Sequence, residues 1–149
     1  MLSQTGLYAL QALLHLAVQK NGAQVSAAAM AEELGVPGTY LAKVLQRLAR
    51  EGILDSTRGA RGGYRLAGDP ALLTVAVVVE PFQDLRTPQI CLHGGACDPN
   101  DPCPAHARRS AWNEAAMDIL QQTTLADLLT GTPLGATAQA TDNPLEDPE

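Results

Sequence analysis

Along most of the chain, apolar residues recur every three or four positions, and short polar breaks rich in glycine and proline separate these runs. This is the pattern of a mainly helical protein. From Leu2 to Lys20, the residues Leu7, Leu10, Leu13, Leu14, Ala17 and Val18 form a wide apolar face, predicting a mostly buried helix ended near Asn21 and Gly22. Ser26 suits the cap of a short helix from Ala27 to Leu34, with Met30, Ala31 and Leu34 facing inward. In the turn Gly35-Val36-Pro37, the glycine tolerates a left-handed backbone and the proline starts the next helix. That helix reaches about Glu51, burying Leu41, Val44, Leu45 and Leu48, while Thr39, Lys43, Arg47 and Arg50 follow one another along its outer side.

A change of period follows. Residues 52–57 read as a strand, Arg58-Gly59-Ala60-Arg61-Gly62-Gly63 as a flexible tip, and Tyr64 to Ala67 as the returning strand. Two helices joined by a tight turn are by themselves explained equally well as a helical hairpin with a solvated charged face. The hairpin placed directly after them, with arginines on a glycine-rich tip, makes the order of parts that of a helix-turn-helix followed by a wing. Glycines let such a tip enter a narrow groove, where arginine is favoured by the enhanced negative potential. Further on, Val75, Val77, Val78 and Val79 favour a strand by propensity alone. Pro104 to Gln122 is a long amphipathic helix with Trp112, Ala115, Ala116, Ile119 and Leu120 on one face. Thr124 to Asp127 is a capping box with aspartate in the place of glutamate, opening a short helix that ends before Gly131.

The 149 residues allow one domain, or one domain with an appendage, large enough to bury a core without covalent staples. The divisions expected are a winged helix-turn-helix region over 1–68, a loop and long-helix region over 69–130, and a tail over 131–149. The tail, rich in Gly, Ala, Thr, Pro and acid and lacking aromatics, is expected to be disordered. The formal charge of -6 would disfavour nucleic acid if spread evenly, but six of the ten basic residues (Lys43, Arg47, Arg50, Arg58, Arg61, Arg65) fall between positions 43 and 65. Only Glu51 and Asp55 oppose them there, so a local basic face can meet a phosphate backbone while the whole molecule stays acidic. No apolar run reaches membrane-spanning length, nothing at the N-terminus reads as a secretion signal, and no catalytic motif stands out. These features point to a cytoplasmic, non-enzymatic protein.

All three cysteines and two of the three histidines lie in one stretch from Cys91 to His106. Gly94, Gly95, Pro99, Pro102 and Pro104 keep most of it out of regular structure, so thiolates can converge without opposing a helix or strand. Pro104 suits the first turn of the following helix, and Cys103 and His106, three apart, can aim the same way. Three thiolates and an imidazole suit an iron-sulfur cluster or zinc. A disulfide would leave one thiol over, and a polar Gly/Pro-rich loop is a poor place to bury unconnected cysteines. The even spacing, with five residues between successive cysteines, matches no common zinc pattern and implies a ligand set rather than a particular metal. His93 is a local rival to His106. His15, inside the first helix, is read as a packed or partly exposed histidine.

Several of these residues together carry a resemblance: Leu7-Tyr8-Ala9-Leu10 in the first helix, Tyr40-Leu41 with Leu45 and Leu48 in the second helix of the pair, Arg58-Gly59 with Gly62-Gly63-Tyr64 in the wing, and Cys91, Cys97 and Cys103. Residues 1 to about 130 thereby resemble the Rrf2 family of bacterial winged-helix regulators, in particular members similar to IscR and NsrR. The resemblance implies a homodimer that binds partly palindromic double-stranded DNA, with the long helix at the dimer contact. It also makes the valine-rich segment a short helix capped by Thr74 and ended before Pro81. It implies an iron-sulfur cluster on the three cysteines, sensing redox, nitric oxide or iron-sulfur status. Some members take the fourth ligand from a carboxylate in the partner's first helix, but this chain has no acid before Glu32. IscR-like members use a histidine three residues after the last cysteine, here His106, and such a set leans towards 2Fe-2S, with 4Fe-4S open. For DNA, Thr39, Tyr40 and Lys43 are expected at base edges or nearby phosphates, Arg47 and Arg50 at phosphates, and Arg58, Arg61, Gly62 and Gly63 in the wing contact. The competing reading keeps the regulator and uses the cysteines as a thiol switch or zinc site.

Overall fold

The computed structural model describes residues 2–59, 62–85, 98, 100, 102 and 104–131. Helix α1 spans Gln4–Ala17, with the Ser3 side chain accepting from the Gly6 amide at 3.0 Å. It is shorter than the periodicity suggests, because the chain leaves helical geometry after Val18 and forms a 3-10 turn, Lys20–Gly22. The buried face is also rotated: Gly6, Ala9, Ala12, Leu13, Leu14 and Leu16 are inside, whereas Leu7 and Val18 are 38% and 56% exposed. The small residues explain the rotation, since glycine and alanine let neighbouring helices approach the α1 backbone closely, and the bulkier Leu7 cannot occupy that seam.

Helix α2, Ala27–Leu34, carries the expected Ser26 cap, whose hydroxyl accepts from the Ala29 amide at 3.2 Å, and ends at Gly35 with φ +65°. Helix α3, Gly38–Arg50, starts one residue after Pro37, whose carbonyl accepts from the amides of Tyr40 and Leu41 at 3.0 Å each. Its buried residues are Leu41, Val44, Leu45 and Leu48, the stripe read from the sequence. The helix is closed by Gly52 at φ +74° and by a hydrogen bond from the Ile53 amide to the Leu48 carbonyl, 3.0 Å. That closure consumes the first residues of the expected strand. The antiparallel hairpin is therefore β1, Leu54–Thr57, against β2, Gly63–Leu66, with Leu54 opposite Leu66 and Thr57 opposite Gly63. Tyr64 also exchanges backbone hydrogen bonds with Val25, 3.0 and 2.9 Å, which fixes the hairpin to the segment entering α2.

The valine-rich segment is helical: α4, Val75–Val79, capped by Thr74 and followed by a 3-10 turn, Glu80–Phe82, that contains Pro81. Burial of Val75, Val78 and Val79 in the core overrides strand propensity. Helix α5 spans His106–Gln122, so Pro104 lies in the turn before the helix and not in its first turn. Helix α6, Leu125–Gly131, runs through Gly131 and has the expected capping box. The Thr124 hydroxyl accepts from the Asp127 amide at 3.1 Å, while Asp127 Oδ2 accepts from the Thr124 amide and hydroxyl at 2.9 and 2.7 Å. One core cluster joins α1, α2, α3 and β1 with Val75, Val78, Val79 and Leu125, so the region beyond position 68 shares its core with the helix-turn-helix. Helix α5 differs: none of its residues is fully buried, and Trp112 and Ile119 are 57% and 64% exposed. Of the expected tail over 131–149, Gly131 belongs to α6 and residues 132–149 lie outside the described residues. Among the described residues no helix is long and apolar enough to cross a membrane.

Candidate nucleic-acid interface and cysteine region

The buried stripe of α3 turns the opposite side of the helix outward, so Thr39, Lys43, Arg47 and Arg50 are all exposed. Arg47 Nε stands 3.4 Å from Glu51 Oε1, an i, i+4 pair with both side chains about half exposed. Arg65 is held by Asp55 across the hairpin, its Nη2 3.1 Å from Oδ2. Lys43, Arg50 and Arg58 make no ion pair among the described residues, and so form the uncompensated part of the basic face. Between the start of α2, the outer side of α3 and the hairpin lies an open cleft of about 700 Å³. Its lining includes Ser26, Gln46, Arg50, Arg58 and Gly62. The cleft thus places two arginines and the N-terminal end of α2, with its positive dipole, around one concave surface.

Three expected contacts have other surroundings. Tyr40, at 37% exposure, packs edge-on against Tyr8, with ring centroids 5.7 Å apart and planes at 79°, and its hydroxyl is hydrogen-bonded to Thr5 Oγ1. Gly63 is buried where β2 passes the entry to α2, with no room for a side chain: a Cβ would lie 2.6 Å from the Val25 carbonyl oxygen. Gly62 is tighter still, its Cβ position 2.1 Å from the Thr57 carbonyl oxygen. Arg58 is exposed, and Arg61 lies outside the described residues.

Cys91, His93, Cys97 and Cys103 also lie outside the described residues. His106 is described: it is the first residue of α5 and is partly buried. One turn further along, Arg109 has both Nη1 and Nη2 buried without a hydrogen-bond partner among the described residues. A buried guanidinium lacking partners is costly unless an anion meets it. Three thiolates and one imidazole around ferric iron and sulfide would supply negative charge, so the donor chemistry and this orphaned cation next to His106 fit a thiolate-bound cluster. His15 is held among protein groups, 3.6 Å from Glu33 and 3.3 Å from Gln19 Nε2, as a packed histidine.

The family model described as an iron-dependent transcriptional regulator, Rrf2, matches residues 2–131. The chain belongs to the Rrf2 family. Among its relatives is a helix-turn-helix-type transcriptional regulator of Aquifex aeolicus, 32% identical over 130 residues, covering 85% of this chain and 90% of that one. The regulator IscR of Klebsiella pneumoniae is 30% identical over 128 residues, covering 86% and 78%. Among solved structures, CymR, the global cysteine regulator of B. subtilis, superposes with a TM-score of 0.73 at 26% identity, covering 89% of this chain and 98% of that chain. IscR of T. potens gives 0.66 at 26% identity, covering 94% and 93%. The protein is thus a mainly helical winged-helix transcription regulator of a non-enzymatic family.

Within this Rrf2 fold, Ser26 and Gln46 line the cleft, and neither belongs to the basic row read from the sequence. Gln46 had a signal available, since it stands three residues after Lys43 and four before Arg50 and so shares their side of the helix. Ser26 had none beyond its cap, because its nearness to Arg58 arises only when the hairpin pairs with Val25.

Proposed function

We propose that this Rrf2-family regulator acts as a cytoplasmic homodimer on a partly palindromic operator, with affinity controlled by an iron-sulfur cluster on Cys91, Cys97, Cys103 and His106. The observation that carries the reading is the donor set ending at the start of α5, followed one turn later by the buried guanidinium nitrogens of Arg109, which have no hydrogen-bond partner among the described residues. When bound, the cluster, for which this ligand set favours 2Fe-2S with 4Fe-4S open, supplies a one-electron redox centre. The protein groups divide the rest of the work. His106 is positioned by the first turn of α5, and Arg109 places positive charge on the same side of that helix. Lys43, Arg50 and Arg58 neutralise phosphates, with the α2 N-terminus and Gln46 completing that surface, and Thr39 and Lys43 lie where base edges are reached. Trp112 and Ile119, one apolar face seven residues apart on α5, supply the surface on which a second copy packs. Residues 1–68 then carry DNA contact, 69–130 the cluster and dimer contact, and 131–149 an acidic tail outside both.

The likeness to the cysteine regulator CymR favours a second reading, in which the thiols act directly or hold zinc. Anaerobic purification followed by iron and acid-labile sulfide analysis and a visible spectrum separates the two. Stoichiometric iron and sulfide, lost in Cys91→Ser, Cys97→Ser or Cys103→Ser, supports the cluster. Zinc, or metal-free protein whose DNA affinity changes with thiol oxidation, overturns it.

A further inference from the structure

The first turn of α1 touches two places that matter. Its cap residue Ser3 donates its backbone N–H to Gln83 Oε1. Gln83 follows the 3-10 turn after α4, its own amide bonded to the Val79 carbonyl at 3.2 Å, and stands eight residues before Cys91. Gly6 makes the close approach possible, since a Cβ there would lie 3.4 Å from Gln83 Oε1, 3.4 Å from Val79 Cγ1 and 3.2 Å from Ser3 Oγ. In the same turn, Thr5 Oγ1 is hydrogen-bonded to the Tyr40 hydroxyl, and Tyr8 meets the Tyr40 ring edge-on. Tyr40 belongs to the first turn of α3, between Thr39 and Lys43. Its hydroxyl is therefore engaged by α1, and its ring is braced from the same helix.

We propose that Tyr40 is a positioning residue and not a reader of bases, and that the first turn of α1 passes movement of the Gln83 segment to the start of the recognition helix. A helix is stiff along its axis, so a shift where Tyr40 is held moves Thr39 and Lys43 with it. The second half of this proposal rests on control by the cysteine region, and the first half does not.

The test uses full-length protein and an operator fragment selected from random duplex DNA. With apo protein at one fixed salt concentration, Thr5→Val and Tyr40→Phe each weaken binding by about two- to tenfold, the range for one hydrogen bond. The double variant is no weaker than either single, because both remove the same bond. Thr5→Ser restores wild-type affinity. A loss in Tyr40→Phe without one in Thr5→Val, or losses that multiply, would mean that Tyr40 touches DNA itself, and no loss in either would mean that the bond positions nothing. For the relay, Gln83→Ala retains wild-type iron and sulfide while the affinity ratio between cluster-loaded and apo protein shrinks towards one. An unchanged ratio overturns the relay. A ratio of one in the wild type removes both cysteine control and the relay, and leaves the Tyr40 comparison to be judged on its own.

Discussion

Replacing Gly63 by alanine tests how the wing is fixed to the body. A Cβ at this position would stand 2.6 and 2.7 Å from the carbonyl oxygen and carbon of Val25 and 3.1 Å from the Ser26 nitrogen. All three are backbone atoms, so no side-chain rotation can relieve the contact, and the hairpin must move away from the entry to α2. Movement breaks the two hydrogen bonds between Val25 and Tyr64. Two such bonds contribute about 1 to 3 kcal/mol and overpacking costs about 1 to 3 kcal/mol more, giving a loss of roughly 2 to 6 kcal/mol. For a chain of this size that lowers the melting temperature by about 4 to 24 °C. Operator binding should weaken as well, with the salt slope falling by about 0.9 for each of Arg58 and Arg61 drawn away from a phosphate. Gly59→Ala is the contrasting variant. Gly59 sits at φ +113° with open space around its Cβ position, so the cost there is backbone strain of about 1 to 3 kcal/mol and the hairpin keeps its seat. Thermal unfolding and titration with labelled operator are the assays. Gly63→Ala protein melting within about 2 °C of wild type, with unaltered affinity, would refute the close-approach reasoning.

Arg50→Ala should weaken DNA binding and flatten its salt dependence by about 0.9, since Arg50 lines the cleft without an ion pair among the described residues; an unchanged slope would remove it from the phosphate surface. His106→Ala should leave a labile or spectrally altered cluster in folded protein, and His93→Ala should not; the reverse result would move the fourth ligand to His93. The Thr124 amide, and then its hydroxyl, hold the Asp127 carboxyl below the usual carboxylate range. The capping box therefore stabilises fully above the unfolded-state value and loses its effect as pH falls through the lower folded-state value. Asp127→Asn should accordingly lower the melting temperature near pH 7 but leave it nearly unchanged at about pH 2.5; equal effects at both would mean that the charge is not the stabilising feature.

Local rules were enough wherever a residue acts on its near neighbours. Ser26 caps α2, Gly35 takes the left-handed turn, Thr124 and Asp127 close their box, and the buried stripe of α3 follows directly from its period. They failed where tertiary contact decides. The face of α1 is set by Gly6, Ala9 and Ala12, whose value lies in what they allow to approach, and an apolar count gives such residues little weight. The glycines of the wing invited a reading of flexibility, yet Gly62 and Gly63 are needed because backbone passes close by. Tyr40 sat in the row expected to meet DNA, and only the fold shows Thr5 and Tyr8 holding it. Cys91, Cys97 and Cys103 lie outside the described residues, so beside the sequence only His106 and Arg109 at the start of α5 bear on their chemistry.

Under the proposed function the two halves of the chain take different chemical roles, yet they share one core. Val75, Val78, Val79 and Leu125 lie in the same buried cluster as Leu41, Leu45 and Leu48 of the recognition helix, with α1 packed between. Close-packed interiors transmit displacement because few voids are available to absorb it. A change arising beyond Gln83 therefore meets a continuous solid and not a hinge, and its effect on DNA depends on which contacts at the α1 surface are directional. Apolar packing in the cluster constrains distance but permits sliding, whereas the Ser3–Gln83 and Thr5–Tyr40 hydrogen bonds also fix orientation. Orientation is what a dimer on two half-sites is most sensitive to, since a small rotation of each subunit misplaces both recognition helices in their grooves. A coupling of about 1 to 3 kcal/mol, enough for roughly five- to 150-fold control of affinity, is of the size that one or two such bonds can carry. The bulk of the core need not rearrange for the regulator to respond.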